Sequence, residues 1–268
     1  MLRAIPLGQH VAGDSIVHRH DPRVNVILVM VFVAALFVVR GPLGYLMMAG
    51  FCALAVRLTG IAPGFVLKGL RGVYLIIVLT LALHLFMTPG DPLFRLGPLR
   101  ATREGAGQGG LLALRLVLLV TTTSLLTLTT SPIDLTDALE RLLKPLRRVG
   151  VPAHEIAMMM SIALRFIPTL KEEAEKVIKA QMARGADFES KNLLRRARSL
   201  VPVLVPLFVG AFRRADDLAI AMEARCYRGG EGRTRMKQLR AGAADAAAAA
   251  VTALVAAGAV LSRLHPWP

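Results

Sequence analysis

The sequence has few of the residues from which catalytic, metal-binding or disulfide-linked sites are built. Among 268 residues there are two cysteines, Cys52 and Cys226, which stand 174 positions apart, one in an apolar and one in a polar stretch. That separation disfavours a disulfide and provides no pair of metal ligands. No Gly-Lys dipeptide occurs, which excludes a Walker A loop, and the spacing assembles no catalytic triad or paired carboxylates. We therefore predict a protein without catalytic residues, cofactor or metal site.

Aromatic residues are also scarce, at 5% of the chain, although the net charge is +15. A basic chain of this kind binds nucleic acid or lies beside anionic lipid. Between positions 132 and 240 there are 21 lysines and arginines against 13 acidic residues, in a mixed-sign helical pattern with almost no aromatic side chains. This pattern favours a cytoplasmic domain beside the lipid bilayer, under the positive-inside rule, and no nucleic-acid partner.

Long apolar runs occupy most of the remaining sequence. The chain is 54% apolar, with a mean hydropathy of +0.55. The proline- and glycine-rich residues 88–110 predict an irregular loop between two of these runs. If the N-terminus is inside, five spans leave the C-terminus outside, in a multi-pass protein of the cell membrane. The predicted spans lie at about 24–39, 42–58, 70–87, 111–130 and 241–261.

The polar region before the last span opens with a helix start. Ser131 and Asp134 have the spacing of a capping box, and Asp21-Pro22 has the pattern of an N-cap followed by proline at the first span. Beyond position 132 the pattern is helical and amphipathic, and it is predicted to be divided into segments at Pro145, Gly150-Val151-Pro152, Pro168 and Pro202/Pro206.

The predicted fold class follows from these patterns. It is an all-α integral membrane protein with about five transmembrane helices and a long cytoplasmic amphipathic domain inserted before the last span. The predicted parts are an N-terminal membrane domain of four spans, a cytoplasmic coupling domain and a C-terminal transmembrane helix, at residues 1–131, 132–238 and 239–268.

One six-residue phrase occurs twice, 41 positions apart, as Ala180–Gly185 and Ala221–Cys226. Gly185 can take the left-handed conformation that ends helices, so Arg184 is predicted near a helix C-terminus between small residues. Such a tip can enter a groove and place its guanidinium against a carboxylate. Two equivalent helix tips predict a coupling protein that binds two equivalent grooves on its partner. Each arginine also follows an acid by nine positions, namely Glu175 and Asp216.

The second phrase departs from the first at Cys226, which stands where the first has glycine. Cysteine is small but does not favour positive φ. We therefore expect this helix end to continue differently towards Tyr227, with Gly229-Gly230 supplying the stop. An alternative is that each arginine interacts only with its own helix end and with lipid phosphates, but the repetition of the phrase argues against this.

Several short motifs along the chain occur together in one known family. They are Gly13-Asp14-Ser15 with His18 and Asp21-Pro22-Arg23; Thr129-Thr130-Ser131-Pro132 with Asp134-Leu135; Gly150-Val151-Pro152; the segment Ala163–Leu170; Ala180-Gln181 with Ala183-Arg184-Gly185; and Ala224-Arg225 with Tyr227-Arg228. Through these motifs, over about residues 8–230, the chain resembles the transmembrane T component of energy-coupling factor (ECF) type ABC transporters.

The resemblance implies specific roles for the repeated phrase. Arg184 and Arg225 would dock into grooves on two ABC ATPase subunits, alike or different, which hydrolyse ATP while this chain does not. The membrane helices would hold a separate S component that binds a vitamin or a metal ion for uptake. The small residues flanking the docking arginines would be Ala183, Gly185, Ala224 and Cys226.

Two other classes of function stay open from the residues alone. A membrane-embedded enzyme acting on lipid would need several polar groups at one bilayer depth, and a stand-alone permease would need polar residues along several spans. The sequence places hydroxyls mainly in the fourth span, and Arg115, near the start of that span, is expected to snorkel outward.

Overall fold

In a computed structural model the chain is almost entirely helical. The structure describes residues 13, 15–39, 41–96, 99–186, 188, 193–229 and 242–262. Asp14, Gly230 and the basic residues from 233 to 240, which the sequence predictions used, lie outside the described residues. The elements are α1 Pro22–Val38, α2 Pro42–Thr59, α3 Pro63–Arg71, α4 Tyr74–Met87, β1 Pro92–Leu96, β2 Leu99–Thr102, α5 Arg103–Thr129, α6 Pro132–Leu143, α7 Ala153–Ala183, α8 Leu193–Ala224 and α9 Ala243–Leu261.

The described residues divide into two compact units, with the boundary inside α6. The apolar unit contains residues 13–138 and 242–262, and the two-helix unit contains residues 139–229, including α7 and α8. In the apolar unit, α1, α2, α5 and α9 share a core in which Leu36 and Met48 are fully buried. Gly44 lets α9 approach closely, since a Cβ there would lie 2.9 Å from the carbonyl oxygen of Ala259.

The helices confirm an all-α membrane protein. By length and composition α2, α5 and α9 are each able to cross a bilayer, with 18, 27 and 19 residues. A fourth crossing requires α3 and α4 together, which are bent by 64°. The fifth predicted span is α1, which is apolar but has only 17 residues. The span predicted at about 70–87 is confirmed as α4, but its first four residues are wrong, because the chain turns at Gly72 and Val73 and α4 begins at Tyr74.

The predicted irregular loop over 88–110 is also wrong. Its first part forms the β1–β2 hairpin, and α5 begins at Arg103. The Thr102 hydroxyl caps this start by accepting a hydrogen bond from the Gly105 backbone N–H at 3.1 Å. Gly105 and Gly109 belong to the helix because they face α4: a Cβ on Gly105 would lie 2.3 Å from the carbonyl oxygen of His84. These glycines permit close helix packing.

The predicted breaks at Pro145 and Gly150-Val151-Pro152 are confirmed, because they lie between the end of α6 and the start of α7. The three other prolines predicted to separate helical segments do not interrupt them. Helix α7 continues through Pro168, and α8 continues through Pro202 and Pro206. Each proline removes one backbone donor. On α8 both prolines lie four residues apart on the exposed side while Val203 is buried, so a single side of that helix loses hydrogen bonds.

Two local predictions have opposite outcomes. The N-cap of α6 is confirmed, since the Asp134 backbone N–H donates to the Ser131 hydroxyl at 3.1 Å, and the Asp134 carboxylate accepts from that hydroxyl at 2.7 Å. Arg115 does not snorkel outward. Its guanidinium donates to the Tyr45 hydroxyl at 2.7 Å and to the Val39 carbonyl at 3.3 Å, because the end of α1 presents an unpaired carbonyl to a cation.

Candidate functional site: two matched helix ends

The first arginine phrase lies where α7 ends, as the sequence predicts. Arg184 is the residue that follows the last helical position, and Gly185 has φ +87°. The Gly185 N–H donates to the Met182 carbonyl and the Ala186 N–H donates to the Gln181 carbonyl, each at 3.0 Å. This pair of bonds is a Schellman motif, which satisfies carbonyls at a helix C-terminus.

The second phrase ends α8 in the same way. Cys226 has φ +57°, its N–H donates to the Glu223 carbonyl at 2.8 Å, and the Tyr227 N–H donates to the Met222 carbonyl at 3.0 Å. The expectation that this end continues differently is therefore wrong. The helix stops at Ala224. The two hydrogen bonds hold the Cys226 backbone in the left-handed conformation, which costs about 1–2 kcal/mol for a residue other than glycine.

This conformation at Cys226 gives a testable prediction. Replacing Cys226 by glycine removes the cost of the left-handed backbone and should stabilise the end of α8 by about 1 kcal/mol. Hydrogen exchange of the Cys226 and Tyr227 amides, measured with the variant beside the unmodified chain, should slow by about fivefold. Gly185→Ala is the matched change at the other tip and should speed exchange by a similar factor. Faster exchange in Cys226→Gly would contradict the assignment of the same motif to both ends.

The tips are open to an external partner. All six predicted site residues are exposed: Ala183, Arg184, Gly185, Ala224, Arg225 and Cys226. Among the described residues neither arginine has an ion-pair partner within 4 Å. A guanidinium without an ion-pair partner, flanked by residues with at most two side-chain heavy atoms, can reach into a groove and donate two parallel hydrogen bonds to a carboxylate.

The two helices that carry the tips are tied together at matching positions. Glu173 of α7 forms an ion pair with Arg214 of α8, and both side chains are half-buried. Glu173 lies 11 residues before Arg184, and Arg214 lies 11 residues before Arg225. At the helical rise per residue, each tip is about 16 Å along its helix from this contact. The ion pair therefore joins equivalent positions of the repeat.

Sequence reasoning found the tips but missed this contact. It singled out Glu175 and Asp216, which have no ion pair in the described part of the chain. The available signal was the 41-residue offset itself, because it relates Glu173 to Arg214 and gives opposite charges at equivalent positions.

A second polar cluster that the sequence reasoning missed lies in the apolar unit, around Asp245 of α9. Its carboxylate accepts from the Gly242 N–H at 2.7 Å and from the Asp21 N–H at 3.0 Å, and lies 3.1 Å from His20 Nδ1. Asp21 caps α1 and pairs with Arg23 at 2.6 Å. Carboxylates at helix N-termini are favoured by the helix dipole, so this cluster joins the starts of α1 and α9.

The described residues contain no group of three or more histidine, cysteine, aspartate or glutamate side chains that could hold a metal. Cys52 is buried and Cys226 is exposed, and both thiols are free.

Comparison with known proteins gives a consistent result. The family model described as "CbiQ: Cobalt transport protein" matches residues 13–236. The energy-coupling factor transporter transmembrane protein EcfT of Thermosediminibacter oceani is 58% identical over 262 residues, which cover 98% of this chain and 99% of the relative. EcfT of Clostridium kluyveri is 49% identical over 266 residues, 98% of each chain. EcfT of Heliobacterium modesticaldum is 55% identical over 240 residues, 89% of this chain and 90% of the relative. The chain therefore belongs to the family of transmembrane, or T, components of energy-coupling factor transporters.

Proposed function

We propose that this T component couples two ABC ATPase subunits to a substrate-binding S component in an importer of vitamins or metal ions. Arg184 and Arg225 each dock on one ATPase subunit, with Ala183, Gly185, Ala224 and Cys226 as the small residues that allow entry. The observation that carries the proposal is the matched geometry of the two tips, which end in the same hydrogen-bonded motif with an exposed arginine.

The chemistry of each tip fits a carboxylate in a groove. A guanidinium makes two parallel hydrogen bonds to a carboxylate, and such bonds are about twice as strong as neutral ones. A helix C-terminus carries a partial negative charge. Before docking, each arginine therefore interacts favourably with the dipole of its own helix, and on docking its guanidinium binds the partner's carboxylate. A larger residue beside either arginine would hold the helix end away from the groove.

Coupling then follows from the contact between α7 and α8. ATP binding and hydrolysis change the separation of the ATPase subunits, and the tips follow because each is held on a different subunit. With about 16 Å of helix between each tip and the Glu173–Arg214 contact, tip movement turns one helix relative to the other. The ATPases drive this motion only if their contacts to the tips differ in free energy between the two states.

The partner that receives the motion of α7 and α8 in this proposal is the S component. Helix α8 carries an apolar stripe at helical spacing whose members are 47–70% exposed. A stripe of this size on an isolated chain indicates a protein or membrane contact. In this proposal the two-helix unit is cytoplasmic and the stripe contacts the S component. Its members are Val201, Leu204, Val205, Phe208, Val209 and Phe212.

The proposal is tested by purifying tagged protein from native membranes in mild detergent. The expected result is co-purification of ABC-type ATPases and a small membrane protein, whose bound ligand identifies the substrate class. Isolation of a complex that imports substrate and contains no ATPase would contradict the proposal. Turnover of a lipid by the purified chain alone would favour the enzyme alternative.

The α7–α8 ion pair provides a second prediction. Glu173→Arg places two cations at the contact and Arg214→Glu places two carboxylates there, so each single change should reduce uptake. The exchanged pair Glu173→Arg, Arg214→Glu should recover most of it, with a coupling free energy of about 1 kcal/mol in thermal unfolding. Arg213→Glu, an exposed neighbour, is the control. A double variant as defective as both single variants combined would show that the pair does not join the helices.

A further inference from the structure

The short helix α3 presents an unbalanced positive charge. From position 22 to position 90 the sequence has no aspartate or glutamate, but it has five lysines and arginines. Two of them, Lys68 and Arg71, lie three residues apart on α3, so their side chains share one face of the helix. Among the described residues neither is in an ion pair. Neighbouring like charges on a helix are unfavourable unless an anion lies between them.

Packing fixes which face of α3 carries these cations. Val66 is buried, and Gly69 faces α5, where a Cβ would lie 2.8 Å from the Ser124 hydroxyl oxygen. Lys68 and Arg71 are exposed on the side of α3 away from these contacts. The Lys68 ammonium lies 5.1 Å from the centre of the Phe65 ring, which is also exposed. A cation held beside an exposed aromatic ring is typical of the membrane–water interface.

The bend between α3 and α4 brings this face to the headgroup depth. Helix α4 has 14 residues, about 21 Å of helix, which is short of the ~30 Å hydrocarbon core. With a 64° bend, the nine residues of α3 add about 6 Å along the direction of α4. When α4 crosses the bilayer, α3 therefore lies oblique to it near one surface. Long cationic side chains there extend to the phosphates.

We propose that α3 rests in the interface and that Lys68 and Arg71 bind the phosphates of anionic phospholipids. Lys68 and Arg71 are two cations without ion-pair partners, in a stretch of sequence from 22 to 90 that has no aspartate or glutamate, so an anionic ligand complements their charge. The exposed apolar residues beside them, Phe65 and Leu67, can enter the boundary between headgroups and acyl chains. This lipid contact is independent of ATPase docking.

The test uses the full-length chain alone in detergent with equal amounts of phosphatidylglycerol and phosphatidylcholine, and native mass spectrometry to count each bound lipid. Each interfacial cation favours anionic lipid by about fivefold, so Lys68→Gln, Arg71→Gln should lower the preference for phosphatidylglycerol by about 25-fold. The matched control is Lys176→Gln, Lys179→Gln, an exposed pair with the same spacing on α7, which should leave the preference within about twofold. Lys68→Arg, Arg71→Lys should also retain it.

Three results would overturn the proposal. They are an unchanged lipid preference in the α3 double variant, an equal loss in the α7 control, and displacement of phosphatidylglycerol by inorganic phosphate, which would indicate a general anion site. A fourth contradicting result would come from purification out of native membranes, where loss of an acidic protein from the Lys68→Gln, Arg71→Gln variant would identify a protein partner instead. If the double variant does not fold, each single variant should show the fivefold loss, and no loss in either contradicts the proposal.

Discussion

Reversal of both docking charges, Arg184→Glu and Arg225→Glu, is expected to remove the ATPase subunits from the purified complex and to abolish uptake. Loss of a buried, hydrogen-bonded charge pair costs about 2–5 kcal/mol, and reversal adds repulsion between carboxylates. Both tips belong to one chain, so the two losses combine and the affinity for the ATPase pair should fall by more than about a thousandfold. The apolar unit contains neither residue, so the amount of protein in the membrane should be unchanged.

The matched control carries the same charge change elsewhere on the same helices. Arg165 and Arg213 are exposed on α7 and α8, 19 and 12 residues before the respective tip arginines. Arg165→Glu, Arg213→Glu should therefore keep the ATPases. Single variants should retain weakened binding, because the remaining tip still holds its subunit. A double tip variant with normal uptake, or an equal loss in the control, would refute docking through the arginines.

Addition of one methyl group at Gly105 should cost more stability than any other single change considered for the apolar unit. A Cβ there would lie 2.3 Å from the His84 carbonyl oxygen and 2.7 Å from the Thr102 hydroxyl oxygen. The His84 carbonyl is backbone and cannot rotate aside, so α4 must move away from α5. The expected cost is about 2–4 kcal/mol, from overpacking together with the loss of the Thr102 cap.

Gly107, two residues later, provides a control of opposite sign. It is exposed, and a Cβ there meets no atom within 4 Å. Gly107→Ala should stabilise α5 by about 1 kcal/mol through helix propensity alone. Thermal unfolding in detergent should therefore show Gly105→Ala several degrees below the unmodified chain and Gly107→Ala a few degrees above it. Equal melting temperatures for the two variants would contradict the close contact between α4 and α5.

The sequence predicted the elements whose signals are local. Each of the five apolar runs predicted to span the membrane contains an apolar helix of the structure, and the N-caps at Asp21 and Ser131 formed as their spacing indicated. The arginine tips were found because Gly185 is a strong helix-end signal and because the phrase repeats.

The failed predictions involve contacts between elements that are distant in sequence. The glycines at the start of α5 were predicted to form a loop. They are helical instead, and their lack of a side chain lets the α4 backbone lie against Gly105 and Gly109, a contact that is not visible in the local sequence. Arg115 was predicted to snorkel, but the fold brings the end of α1 beside it and its guanidinium donates to the Val39 carbonyl. Cys226 has little intrinsic preference for positive φ, and the hydrogen bonds of the helix end determine its conformation.

Cross-linking from the two tips tests the central claim most directly. In a Cys226→Gly background the remaining thiol, Cys52, is buried, so a thiol-reactive photo-cross-linker attaches selectively at an introduced surface cysteine. Ala180→Cys and Ala221→Cys place that thiol at equivalent exposed positions four residues before Arg184 and Arg225, and leave the small residues beside both arginines small. We expect each labelled tip, irradiated in native membranes, to form an adduct with an ABC ATPase subunit. Adducts only with lipid or with other proteins, in membranes that still import substrate, would contradict the claim that the two matched helix ends couple this chain to its ATPases.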